Sequence, residues 1–241
     1  MSRFAVVSMT GAKEERDKLR YRGDHAQRAR IFAEDTLMHY QPDGLLITGM
    51  SHYQMKTLDS YMLSRGFIKL ISPDFRCQKD AWRYTQLTLA YLSESLNAKQ
   101  IRYDEEKEIE TIYRYVAFSL PDENQEIRVM HVPCADSEKP NYEKQLSRKK
   151  RMLSFERHLE EKEISLRKKV ISCGDYNTEI GNLECHEVFD DLPYKKLLDE
   201  PTWGAAKIDN VLVSPGQRVS AHTEDFRYGQ TSDHKTVIFE I

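Results

Sequence analysis

Short apolar runs of strand length, broken by turn residues along almost the whole chain, are what most restrict the fold open to this sequence. They are predicted at 4–9, 45–47, 67–71, 86–92, 100–104, 111–120, 126–132, 170–173, 211–214 and 236–241. Leu120-Pro121-Asp122-Glu123-Asn124 joins two of these runs as a hairpin turn. Helical patterning is confined to three stretches. Residues 24–40 can be capped by Asp24 and carry an apolar surface of Ala26, Ala29, Ile31, Phe32, Ala33, Leu37 and Met38. Residues 55–64 end at Gly66, and 141–167 form a long polar helix. Strands that outnumber helices and join mostly as hairpins bury their faces best as two packed sheets with helices outside. The fold class expected is α+β: a four-layer α/β sandwich, two packed, mainly antiparallel sheets flanked by helices. No repeat, low-complexity linker or composition shift marks a boundary, so 1–241 is expected to be one domain.

At 241 residues the chain is long enough for a sizeable core. Hydrophobic content of 39% beside 31% charged residues describes an ordinary globule and excludes a disordered tail. A net charge of −3 gives no global attraction to nucleic acid, so any polyanion contact must be a local patch. No run approaches the roughly 20 apolar residues of a membrane span, and no membrane partner is expected. The first eight residues are too short and too strand-like for a signal peptide. Cys77, Cys134, Cys173 and Cys185 lack CxxC spacing, which points to reduced packing cysteines in a cytoplasmic protein. Oligomeric state stays open.

Chemistry concentrates in the C-terminal third. Gly174-Asp175-Tyr176-Asn177 follows a predicted strand, Lys207-Ile208-Asp209-Asn210 opens one, and Thr231-Ser232-Asp233-His234 precedes the last. Hydrolysis of a phosphate ester needs charge neutralised on the phosphoryl oxygens, an activated water and a helped leaving group. Mg²⁺ suits the first task because it takes oxygen ligands and keeps several waters, using one or two carboxylates. Asp233 and Asp209 can serve as ligands or support them, and Asp175 can orient a water or act as its base. Asn177 offers a carboxamide to phosphate or metal without titrating. His234 can donate to a non-bridging oxygen. His131 ends a hydrophobic strand at Pro133. Each signal alone has a plainer reading: Asp-Tyr-Asn as a turn former, Asp233-His234 as a cap, Asp209 as a strand-entry residue, His131 as a structural histidine. Their order, each at a strand boundary, is what carries weight.

In that order the clusters resemble the endonuclease/exonuclease/phosphatase superfamily, whose fold is the deoxyribonuclease-like α/β sandwich. Its members show a histidine after a middle strand, then Gly-Asp-Phe-Asn, Arg-Ile-Asp-Tyr and a late Ser-Asp-His. Pro42-Asp43-Gly44-Leu45-Leu46 is similar to the family's second strand and Thr88-Leu89-Ala90-Tyr91-Leu92-Ser93 to its central one. The resemblance implies catalytic roles for His131, Asp175, Asn177, Asp209 and His234. His131 would contact phosphate, Asp175 would orient or activate the nucleophile, Asp209 would orient a histidine, and His234 would be the general acid/base. A Mg²⁺ or Mn²⁺ ion would be held by Asp233, Asn177 and Asp209. The N-terminal half departs from the pattern. Ser8 stands where an asparagine is usual, and Gly49 where the second strand normally brings a glutamate ligand. A divalent ion 4 Å from a carboxylate gains about 8 kcal/mol gross at an effective dielectric of ~20, so the missing group weakens the metal site. His52, three residues on, is read as a surface-loop histidine.

The substrate implied is nucleic acid or a nucleotide phosphate, cleaved by a metal-dependent phosphodiesterase. The alternatives are a catalytically impaired protein that binds nucleic acid or a protein partner through the same cleft, and a phosphatase of a small phosphate ester. Arg148-Lys149-Lys150-Arg151 is read as a solvated helix face salted by Glu156, Glu160 and Glu161. Lys13, Lys18, Arg20 and Arg22 form a second basic set. Arg76, Lys79, Trp82, Arg83 and Tyr84 interleave cations with aromatics, a pattern that either stacks on bases or packs a sheet edge.

Overall fold

Val6, Val7, Leu45, Leu46 and Ile47 form near-continuous apolar runs, the signature of strands covered on both faces. The computed structural model describes residues 1–9, 22–71, 87–103, 114–166, 168–178, 193–225, 232 and 234–241. In chain order it shows β1 (Arg3–Ser8), α1 (Arg22–Tyr40), β2 (Gly44–Met50), α2 (His52–Leu63), β3 (Phe67–Ile71) and β4 (Leu87–Ser93). There follow β5 (Lys99–Ile101), β6 (Tyr115–Leu120), β7 (Gln125–His131), α3 (Tyr142–Ser165) and β8 (Lys169–Asp175). The chain ends with β9 (Lys195–Lys196), β10 (Asp209–Val213), β11 (Ser220–Glu224) and β12 (Thr236–Glu240). The basic and aromatic sets predicted at 13–20 and 76–84, with Cys77 and Cys185, lie outside the described residues.

Two six-stranded sheets result, ordered β11-β12-β1-β2-β4-β3 and β5-β6-β7-β8-β10-β9. Pairing is antiparallel except between β1 and β2 and between β7 and β8. Parallel neighbours need a long crossover, and α1 and α3 lie within those two connections. The inner faces meet in a core of Phe4, Val6, Leu46, Val116, Phe118, Val129, Ile171, Val211 and Phe239. Phe4 stacks on Phe239 at 5.1 Å and reaches Phe118 of the facing sheet at 6.4 Å between centroids. Phe32, Ala33, Met55, Leu58 and Met62 of α1 and α2 pack outside the first sheet. Met152, Leu153, Phe155 and Leu159 of α3 cover Tyr115, Met130, Tyr176 and Leu212 outside the second. The arrangement is the four-layer α+β sandwich the strand count required.

Three local expectations are corrected. Helix α2 begins at His52, three residues before the predicted start, because Ser51 and Gln54 close a capping box across its first turn. His52 therefore opens a helix and does not sit in a loop. The third correction concerns α3, whose polar sequence is not a solvated face throughout. Glu156 and Glu160 are fully buried, Lys149 is only 5% exposed, and Arg128 of β7 donates from Nε to Glu156 Oε1 at 2.9 Å. The helix spends its charges on the sheet beneath it.

Candidate functional site

Strand register builds the site. In the second sheet His131 of β7 is paired with Asp175 of β8, and Asp175 with Asp209 of β10. Three neighbouring strands thus set an imidazole and two carboxylates in one row at one end of the sheet. Gly174 makes the row possible, because a Cβ there would lie 2.1 Å from the Met130 carbonyl oxygen. Its φ of +132° is also one that side chains resist. Beyond Asp175 the chain turns through Asn177 at φ +48°, whose N–H donates to Asp175 Oδ1 at 2.8 Å. The Asn177 amide Nδ2 donates to the Val132 carbonyl at 2.9 Å, tying the ends of β7 and β8 together.

The first sheet closes the site from the other side. Ser8, at the end of β1, donates its hydroxyl to Asp175 Oδ2 at 2.9 Å across the gap between sheets. The Ser232 hydroxyl donates to the Ser8 carbonyl and accepts the His234 N–H at 3.0 Å, which seats His234 ahead of β12. Asp209 Oδ2 then meets His234 Nδ1 at 2.7 Å. The Thr202 hydroxyl accepts the Asp209 N–H at 3.0 Å and so fixes the entry of β10. His131 Nε2 lies 3.5 Å from Asp175 Oδ2. Of the six residues singled out from sequence, the structure brings together His131, Asp175, Asn177, Asp209 and His234; Asp233 lies outside the described residues.

Burial sets the electrostatics. Asp175 is 1% exposed, and burial, followed by the negative charge of Asp209, pushes its carboxyl up to about 7. Burial also drives the His131 imidazole well below its usual range, with the positive charges of Arg114 and His234 acting the same way. That ring is neutral at pH 7. Ligand atoms of Asp175, Asp209 and His234 all lie within 4.8 Å of one another. Two buried carboxylates forced together, one resisting ionisation, form a site short of positive charge, and a hard divalent cation fits that donor set. Gly49 confirms its departure in geometry as well as identity. A Cβ there would face His131 Cε1 at 3.4 Å, but φ is +70° and the Met9 carbonyl oxygen would stand 3.0 Å away.

Two further groups at the site escaped the sequence reading. Trp203 is 46% exposed, pairs with His234 through an isolated β-bridge, and sets its ring 6.3 Å from the imidazole. An aromatic residue six positions before Asp209 was the available signal. The second is Lys149, whose Nζ donates to the Asn177 carbonyl at 3.3 Å. It was hidden inside a basic run whose other members gave no reason to separate it.

No family model matches the sequence, and no curated protein matches it. Solved structures do. A humanised TDP2 from D. rerio is 14% identical with a TM-score of 0.63, matched over 100% of this chain and 99% of that one. The catalytic domain of human Nocturnin is 16% identical with a TM-score of 0.63, over 99% and 93%. The 3′-5′ exonuclease NExo from Neisseria meningitidis is 13% identical with a TM-score of 0.67, over 99% and 98%. Matched from end to end by such structures, this chain has the fold of the endonuclease/exonuclease/phosphatase superfamily, as its motifs implied.

Proposed function

We propose that this protein is a divalent-metal-dependent phosphoesterase that hydrolyses phosphodiester bonds of nucleic acid or a nucleotide. The observation that carries the proposal is the buried Asp175–Asp209–His234 cluster, its ligand atoms within 4.8 Å, beside a neutral His131. Asp209, Asn177 and Asp233 would hold a Mg²⁺ or Mn²⁺ ion through oxygen atoms, next to Asp175 and His234. When bound, the ion neutralises phosphoryl oxygens and makes a coordinated water more acidic.

The chain's own groups supply the remainder. Asp209 orients the His234 ring through Nδ1, and Nε2 is the atom that exchanges a proton with the substrate or the leaving oxygen. Asp175, held at both oxygens by Ser8 and Asn177, orients the attacking water and receives its proton near neutral pH. His131 and Asn177 contact the phosphoryl oxygens. The half-exposed Trp203 offers a ring face on which a base can stack beside His234. The comparisons support this substrate class: D. rerio TDP2 was solved with a single-stranded DNA product, and NExo, as a 3′ phosphatase, with a product DNA hairpin. The free thiols Cys134 and Cys173 fit a reducing, cytoplasmic setting.

Gly49 favours a second reading, in which the cleft binds a polyanion without cleaving it. Turnover of bis-(p-nitrophenyl) phosphate, DNA and RNA, each with Mn²⁺, Mg²⁺ or chelator, decides between them. Metal-stimulated turnover in wild type that is lost in His234→Ala is the expected result. Absence of turnover on every substrate sinks the hydrolase.

A further inference from the structure

Asp209 and His234 come from different sheets, and no strand register sets the distance between them. Asp209 opens β10 of the second sheet, while His234 lies two residues ahead of β12 of the first. Face-packed sheets stand about 10 Å apart. Their apolar contacts are non-directional, so packing alone does not fix a 2.7 Å hydrogen bond across the gap.

A short hairpin supplies the missing link. The Ala206 N–H donates to the Trp203 carbonyl at 2.8 Å, and the Trp203 N–H donates to the Ala206 carbonyl at 3.1 Å. Gly204, at φ +54°, takes the first central position of this two-residue turn, where a positive φ costs glycine little. Thr202, 1% exposed, stands at the base of the hairpin and bonds toward both sheets. Its hydroxyl accepts the Asp209 N–H at 3.0 Å, and its carbonyl accepts the Lys235 N–H at 2.8 Å. Trp203 adds the isolated β-bridge to His234. One buried threonine thus holds the backbone beside each member of the Asp209–His234 pair.

Building on the phosphoesterase reading, we propose that Thr202 is the positioning residue of the Asp209–His234 pair, and that the hairpin it anchors sets the imidazole against the substrate. Thr202 acts through that pair and is not itself a reacting group. A displacement of about 1 Å at a reacting group can cost on the order of 10² in rate. Valine at this position keeps the shape but leaves the buried Asp209 N–H without its acceptor. The carbonyl bond to Lys235 survives the change, so the pair is loosened at the Asp209 end alone.

Thr202→Val and Thr202→Ser are compared with wild type by two readouts. One is Mn²⁺-supported turnover of bis-(p-nitrophenyl) phosphate; the other, in chelator, is the nitrogen-15 chemical shift of His234 Nδ1. Thr202→Val should lower kcat about 10–100-fold with KM within about twofold, and should move the shift. Thr202→Ser, which restores the hydroxyl, should keep both close to wild type. A valine variant with wild-type kcat, or one that loses turnover while the shift stays in place, overturns the role. A measurement on the unaltered protein covers a variant that does not fold. The Asp209 and Lys235 amides both bond to Thr202, so native-state hydrogen exchange should protect them to a similar degree. Protection differing by more than about tenfold overturns the proposal. Absence of turnover in wild type sinks the hydrolase, and the shift and the exchange still decide Thr202.

Discussion

Asp175 is the residue at which function and stability oppose each other. Its carboxyl holds its proton up to about 7 in the folded chain, against about 3.9 in an unfolded one. Between those values the native state binds more protons than the unfolded state, so stability falls as pH rises through that window and levels off above it. Asp175→Asn removes the repulsion from Asp209 and is expected to raise the melting temperature at pH 8 more than at pH 5, while turnover disappears. A calorimetric comparison of the two proteins at both pH values checks the sign. At His234 the expectation is kinetic. Removing a positioned acid/base group costs on the order of 10²–10⁴ in rate, so His234→Ala should fall by that factor in kcat. Asp209→Asn should fall less, because the amide can still accept from Nδ1 at the observed 2.7 Å.

Elements show what each short run of sequence must satisfy. Helix α2 depends on Ser51, whose hydroxyl accepts the Gln54 N–H while the Gln54 side chain accepts the Ser51 N–H. Ser51→Ala should cost about 1 kcal/mol in denaturant unfolding. Helix α3 depends on charge buried against β7. Arg128→Met leaves Glu156 unpaired and should cost about 3–5 kcal/mol, while the double variant with Glu156→Met should recover most of it. A double-mutant cycle measures the difference. These two helices also show where the sequence was readable. The capping box is present in the letters Ser51-His52-Tyr53-Gln54, though a strict search for apolar periodicity starts three residues late. The Arg128–Glu156 pair spans 28 positions and two elements, and no local pattern announces it.

For the whole molecule, the central strands β1 and β2 were legible because burial on both faces demands near-continuous apolar runs, and β7 and β8 because short apolar stretches in them end at turn residues. Of the four edge strands β3 and β5 were legible too, and β9 and β11 were not. Ser220-Ala221-His222-Thr223-Glu224 of β11 is partly exposed and takes its strand character from β12, and β9 is only two residues long. The site residues were legible as motifs, but their convergence depends on register and on Ser8 reaching across from the opposite sheet. That cross-sheet bond joins the site to global stability. A divalent ion bound only by the native state should raise the melting temperature, by about 2.7 kcal/mol of stability at a hundred times its Kd. Titration of the melting point with Mn²⁺ at pH 8 tests this, and an unchanged melting point would remove the metal from the scheme.

Trp203 has a practical consequence. The chain contains two tryptophans, and this one stands half in solvent a few ångströms from the His234 ring. With Trp82 replaced by phenylalanine, emission would come from a single indole stationed where ligands arrive. The protein would then report occupancy of its own cleft by light, with no label attached.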